Sequence, residues 1–173
     1  VMVVGGLKPN SKDLIGSRKQ MEEGLFKTLE YARTVKMPIA IEPLHPMYAA
    51  DRACVNTLKH ALDICDGMGT GIGIAVDVYH TWWDPELKSQ IKRAGKERLL
   101  AFHLSDWLME TKHLLLDRGM MGDGVIDISR IRKWMESESF EMLNEVEIFS
   151  EDNWWKRDPD ELIRTCVERL SVC

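Results

Sequence analysis

The chain has 173 residues, 45% of them hydrophobic and 29% charged, enough for roughly one domain. That hydrophobicity and a net charge of only −5 exclude a disordered chain. No run approaches the ~18 apolar residues of a membrane span, and a mildly acidic surface disfavours a broad nucleic-acid-binding face.

Residues 1–4 form an apolar, strand-like run ending in Gly5-Gly6. A helix is predicted over 11–36, where Met21, Leu25, Leu29 and Ala32 recur at spacings of three and four. Ser11 is its expected N-cap and Pro38 its stop. Residues 38–42 (PIAIE) read as a buried strand and 43–52 as a loop. A second helix follows over 56–68, with Leu58, Ala61, Leu62 and Cys65 on one face. Residues 72–78 read as a strand, and 85–94 as a helix with Asp84 as N-cap and Pro85 in its first turn. A strand over 99–104, a long loop over 105–127, a helix over 128–137, a strand over 142–149 and a helix over 158–170, capped by Asp158, complete the chain.

Strands that alternate with helices imply a parallel sheet with right-handed crossovers. Two architectures fit: an open doubly wound sheet, or part of a (β/α)8 barrel. No Gly-x-Gly-x-x-Gly and no P-loop follows any strand, so nucleotide-binding open sheets lose support. Cys54, Cys65, Cys166 and Cys173 form no Cys-x-x-Cys pair and read as reduced thiols of a cytoplasmic protein.

The polar residues inside the apolar strands are informative. Glu42, Asp77, His103 and Glu147 fall at or near the C-terminal ends of four successive strands. In a parallel β/α fold those ends converge on one face, where barrel active sites are built. One acidic residue at a strand end is commonly a helix cap. Four in succession need a compensating partner, and a divalent metal is the economical one. Three carboxylates and one imidazole suit Mn²⁺ or Mg²⁺, and also accommodate Co²⁺ or Zn²⁺.

The segments IEPLHP, DVYHTWW, FHLSDW, DRGMMGDG and EVEIF, in that order, resemble the xylose isomerase-like TIM-barrel superfamily. Within it they are most similar to the sugar phosphate isomerase/epimerase branch. The resemblance implies an α/β (β/α)8 TIM barrel of which about five of the eight βα units are present. Residues 1–173 would be the C-terminal portion of a single barrel domain, VMVVGG its fourth strand. About 100 residues carrying strands one to three would lie outside this sequence, which is therefore expected to be partial.

The resemblance also implies roles. Glu42, Asp77, His103 and Glu147 would hold one divalent ion. Glu42 and Glu147 would act as acid and base on opposite faces of a sugar, and His80 and Arg118 would bind substrate. The implied reaction is isomerisation or epimerisation of a sugar, sugar phosphate or cyclitol by proton transfer through a metal-bound enediolate. The implied partner is that small molecule, with no nucleic acid, no membrane, and a homodimer as the assembly common among relatives. Glu145 is expected inside the barrel, two residues deeper than Glu147. Trp82, Trp83, Trp107, Trp154 and Trp155 all follow strands, and two readings stand: loop packing at the rim, or an aromatic wall against the sugar, with Trp82 and Trp107 as its substrate-binding members. His60 and His113 read as surface residues.

The loop of His45 and Tyr48 has no second glutamate of the kind ketose 3-epimerases carry, a departure from that substrate assignment. An inosose dehydratase-like lyase shares the enediolate and is the alternative reading. An endonuclease IV-like nuclease needs further His and Asp ligands, and Gly119 stands where that family's loop has His. An inactive partial barrel is a fourth reading.

Overall fold

The computed structural model describes the backbone of residues 1–173 and every side chain except that of Val3. Five strands lie in sequence order in one parallel sheet: β1 (Met2–Val3), β2 (Ile39–Glu42), β3 (Ile72–Asp77), β4 (Leu99–Leu104) and β5 (Asn144–Val146). Helices α1 (Leu14–Thr34), α2 (Leu58–Met68), α4 (Leu87–Arg98) and α5 (Ile128–Ser137) connect them, and α6 (Pro159–Val172) follows β5. Strand order equal to chain order, with a helix after each strand, is the winding of a barrel wall and not of a doubly wound sheet. The architecture is that of a partial (β/α)8 barrel.

The two faces of the sheet differ because side chains alternate along each strand. Ile39, Ile41, Ile72, Ile74, Val76, Phe102 and Leu104 pack with Leu25, Leu29, Leu58, Leu62, Ile91 and Ile131 of the helices in the main apolar core. Each such fully buried side chain contributes roughly 1.5–3 kcal/mol. On the opposite face Ala40, Ala75 and Ala101 form a small, separate cluster. Two residues further along the same strands stand Glu42, Asp77 and His103. The register aligns Asp77 with His103 and His103 with Glu145.

Several boundaries differ from the sequence expectation. Helix α1 is capped by Asp13, not Ser11: Asp13 Oδ1 accepts from Gly16 N at 2.7 Å, the reach of an N-cap to the third helical residue. Ser11 Oγ instead accepts from Asp13 N. The helix ends at Thr34, before Pro38, because Lys36 adopts φ +55°. Helix α4 starts at Leu87 and continues to Arg98 across a break at Gly95, whose φ of +56° lies outside the helical region. A short helix, α3 (Val78–Thr81), follows β3 directly; its N-cap is Asp77, whose Oδ1 accepts from Tyr79 N at 2.8 Å.

Strand β5 is shorter than the expected 142–149. Glu147 N still donates to Leu104 O, but the chain then leaves β4 to pair with the 105–127 loop. Arg118 N donates to Phe149 O and Glu151 N to Leu116 O, each at 2.9 Å. Glu145, expected in the interior, is exposed on this edge strand. His60 is half-buried between α1 and α2, whereas His113 is at the surface, as expected.

Candidate metal centre

Four of the five strands each deliver one donor at or just past their C-terminal ends. Glu42 closes β2, Asp77 closes β3, His103 is the penultimate residue of β4, and Glu147 follows β5. One ligand atom from each lies within 4.8 Å of all the others. Glu42, Asp77 and His103 are buried, while the Glu147 side chain is 35% exposed. The sequence thus places these four candidate ligands on four elements, and the fold brings them to one point.

The hydrogen bonds around this cluster are specific. His103 Nδ1 sits 2.8 Å from Glu42 Oε1 and 3.9 Å from Glu147 Oε2. Arg118 Nη1 donates to Asp77 Oδ2 and to Glu147 Oε2, each at 3.0 Å. Arg118 Nη2 lies 3.1 Å from His80 Nε2, which accepts from it. That bond fixes the His80 proton on Nδ1.

Burial, together with the Arg118 charge and the nearby His45 and His103, pushes His80 down to about 2, so it is neutral. The 3.6 Å approach of His80 Nε2 to Asp77 Oδ2 is therefore not an ion pair. Burial pushes the Asp77 carboxyl up, against the opposing charge of Arg118. Burial and the Asp77 charge raise Glu147, again opposed by Arg118. For His103, burial opposes the charged form, but the bond to Glu42 and the charges of Glu42, Asp77 and Glu147 outweigh it, and the net shift is upward. The balance is uneven: three carboxylates cluster here, and the Arg118 guanidinium bonds two of them, Asp77 and Glu147, while Glu42 pairs with His103.

The residues fit a divalent ion. Three carboxylates and an imidazole are a hard, mixed O/N donor set. Their separations allow a shared ion with small side-chain movements. His103 Nδ1 faces the cluster, and an ion there would replace its proton.

Above the cluster opens a cleft of about 340 Å³ lined by Glu42, Leu44, Tyr48, Arg52, His80, Leu115, Arg118, Glu147 and Phe149. It has a carboxylate floor, a guanidinium, and apolar walls, suited to a small polyhydroxy ligand. A larger groove between α1 and α2 contains Glu22, Phe26, His60 and Ile64 and lies away from the cluster.

Trp82 and Trp107 are not among the residues lining the cleft. Trp107 stacks on Tyr79 with ring centroids 4.8 Å apart, and Trp82 leans on Trp107 at 6.0 Å. Tyr79 in turn lies 4.4 Å beneath the Arg118 guanidinium carbon. The tryptophans thus back Tyr79, which backs Arg118. Sequence reading passed over Tyr79, although it stands next to His80 and two residues after Asp77. It also passed over Phe149, which flanks Arg118 on another side at 5.0 Å. Tyr48 and Tyr79 both donate to Leu114 O, at 2.9 and 2.8 Å, tying the 105–127 loop beside the cleft.

A family model described as "Xylose isomerase-like TIM barrel" matches residues 1–170. Among solved structures, a protein of Sinorhizobium meliloti 1021 is 59% identical, with TM-score 0.95 over 98% of this chain and 62% of its own. The IOLI protein with a bound zinc atom is 21% identical, TM-score 0.79, over 98% of this chain and 59% of its own. The 3-keto-D-glucoside 4-epimerase of E. coli is 19% identical, TM-score 0.71, over 96% and 57%. The chain therefore spans about three fifths of the length of these relatives. No curated protein matches it.

Proposed function

We infer the function from one premise: the chain belongs to the xylose isomerase-like TIM-barrel family. We propose that it is a divalent-metal-dependent isomerase or epimerase of a small sugar or cyclitol. In this reading residues 1–173 supply the C-terminal portion of one barrel domain. The observation that carries the reading is the convergence of Glu42, Asp77, His103 and Glu147, with one donor atom from each within 4.8 Å of the rest. Similarity to an epimerase of E. coli, to a D-psicose 3-epimerase studied with D-fructose, and to a zinc-bound protein supports it.

Those four residues would hold the ion, which supplies Lewis acidity to a substrate carbonyl. The remaining chemistry belongs to the chain. Glu42 and Glu147 both line the cleft. One removes the proton from the carbon next to the carbonyl, and the other returns a proton. Return to the opposite face of the same carbon gives an epimer; return to the neighbouring carbon gives an isomer.

Arg118 reaches the cleft with its charge fixed and stabilises the oxyanion that develops. His80, neutral and hydrogen-bonded to Arg118, orients the guanidinium without adding repulsion. Leu44, Leu115 and Phe149 exclude water from the reacting carbon.

The test is proton exchange. Mn²⁺-loaded protein is incubated with ketoses and inososes in deuterated water. Deuterium enters at the carbon next to the carbonyl, and Glu42→Gln and Glu147→Gln lose that incorporation. The products then separate epimerase, isomerase and dehydratase. Full metal loading with no exchange on any member of the panel refutes the proposal.

A further inference from the structure

We propose that Asp106 is the positioning residue that sets Arg118 across Asp77 and Glu147. Asp106 lies outside the four-donor cluster, three residues after His103, where β4 gives way to the long loop. It is completely buried. Among the described residues no cation pairs with it; four backbone amides do instead. Oδ1 accepts from Trp107 N at 2.8 Å and from Ile126 N at 2.9 Å. Oδ2 accepts from Gly122 N at 3.0 Å and from Gly124 N at 2.9 Å.

A buried carboxylate is costly unless its lone pairs are satisfied, and charge-assisted bonds to amides are among the stronger ones. This one gathers both ends of a single loop. Its side chain fixes residues 122–126. Its backbone fixes Gly119, with Asp106 N donating to Gly119 O and Gly119 N to Asp106 O, each at 2.9 Å.

Arg118 is the residue between that bridge and the next one. Its own N–H donates to Phe149 O, beside the Asp117–Ser150 bridge. The Arg118 backbone is thus held on one side by Asp106 and on the other by the segment that carries Glu147. The wrap leaves no slack: a Cβ at Gly124 would run into Trp107 O and sit 2.7 Å from Asp106 Oδ1. The Gly-rich run after Arg118 is therefore the shell of an internal carboxylate.

A role in Arg118 placement differs from general stabilisation in what it moves. Asp106→Asn preserves shape but turns an amide NH₂ toward one pair of N–H donors. Asp123→Asn is the control: in the same loop Asp123 Oδ2 accepts from Met120 N and Oδ1 from Arg169 Nη2, each at 3.2 Å, and neither oxygen bonds Asp106 or Gly119.

The experiment is NMR on ¹⁵N-labelled, metal-free protein. The wild type shows slowly rotating Arg118 Nη resonances, assigned by their loss in Arg118→Met. In Asp106→Asn these resonances broaden away. The Gly122 and Gly124 amides exchange at least about tenfold faster, the equivalent of one lost hydrogen bond, while the Ile74 and Phe102 amides keep their wild-type rates. Asp123→Asn leaves the Arg118 resonances in place. Unchanged Arg118 resonances in Asp106→Asn, or equal broadening in both variants, overturns the proposal.

Should Asp106→Asn fail to fold, the wild type carries the test. Amides 107, 122, 124 and 126 and the Arg118 Nη protons are expected to exchange through one opening with a common denaturant slope. Separate openings overturn the proposal.

Discussion

Removing the Arg118 guanidinium is predicted to destabilise the metal-free protein by about 3 kcal/mol, and Mn²⁺ is predicted to restore most of it. Arg118→Met keeps the aliphatic stem and deletes the charge. Asp77 is fully buried and bonded to Nη1 at 3.0 Å, so its partner loss leaves an uncompensated buried carboxylate. Breaking such a pair costs about 3–5 kcal/mol. The second contact, Glu147 Oε2 at 3.0 Å, adds little because that side chain is 35% exposed and water screens it. The lower end of the range is therefore expected, a fall in Tm of roughly 6–12 °C for a chain of this size. A divalent ion replaces the missing charge. At one hundred times its Kd it contributes about 2.7 kcal/mol. Thermal and urea unfolding of wild type and Arg118→Met, each with and without Mn²⁺, provide the readout. A variant within about 0.5 kcal/mol of wild type without metal, or one that Mn²⁺ leaves unrestored, refutes the assignment of Arg118 as resident counter-cation of the cluster.

Three further outcomes are expected. Burial pushes the Tyr79 hydroxyl up to about 12, against the pull of Arg118. Its contribution to stability is full below the unfolded value of 10.0 and is lost as pH rises through about 12; ultraviolet titration of wild type against Tyr79→Phe will show one phenolate forming that late. Burial likewise pushes the Cys65 thiol up to about 11, so iodoacetamide at neutral pH should leave Cys65 unmodified in the folded protein and modify it after denaturation, as read by mass spectrometry. Asp158 Oδ1 accepts from Asp160 N and Glu161 N at the start of α6, so Asp158→Ala should cost about 1 kcal/mol in urea unfolding.

The alternation of apolar strands and amphipathic helices was legible because β2, β3 and nearly all of β4 are buried on both faces and the helices between the strands present an apolar stripe. The four candidate ligands were legible for a related reason. A charged residue in an apolar run is conspicuous, and the parallel winding sends all such strand ends to one side. What the sequence hid was decided by contacts distant along the chain. The 142–149 run is apolar enough for a long strand, yet only Asn144–Val146 joins the ladder, because residues 149–151 pair with the 116–118 segment. Ser11 and Asp13 are both competent caps, and the reach to Gly16 N selected Asp13. Tyr79 is an ordinary aromatic in the sequence; it becomes the support of Arg118 only because α3 turns it beneath a loop about forty residues away. Asp106 gave only the signal of an acid following a strand and preceding a glycine-rich loop. Its four amide partners come from residues 107–126, and no local pattern ties them together.

The central claim is that Glu42, Asp77, His103 and Glu147 form one divalent-metal site. Equilibrium dialysis against Mn²⁺ with metal analysis tests it most directly. The account predicts one Mn²⁺ per chain in the wild type and loss of that ion in Asp77→Asn and His103→Asn. Absence of bound metal in the wild type, or undiminished binding in both variants, would contradict it.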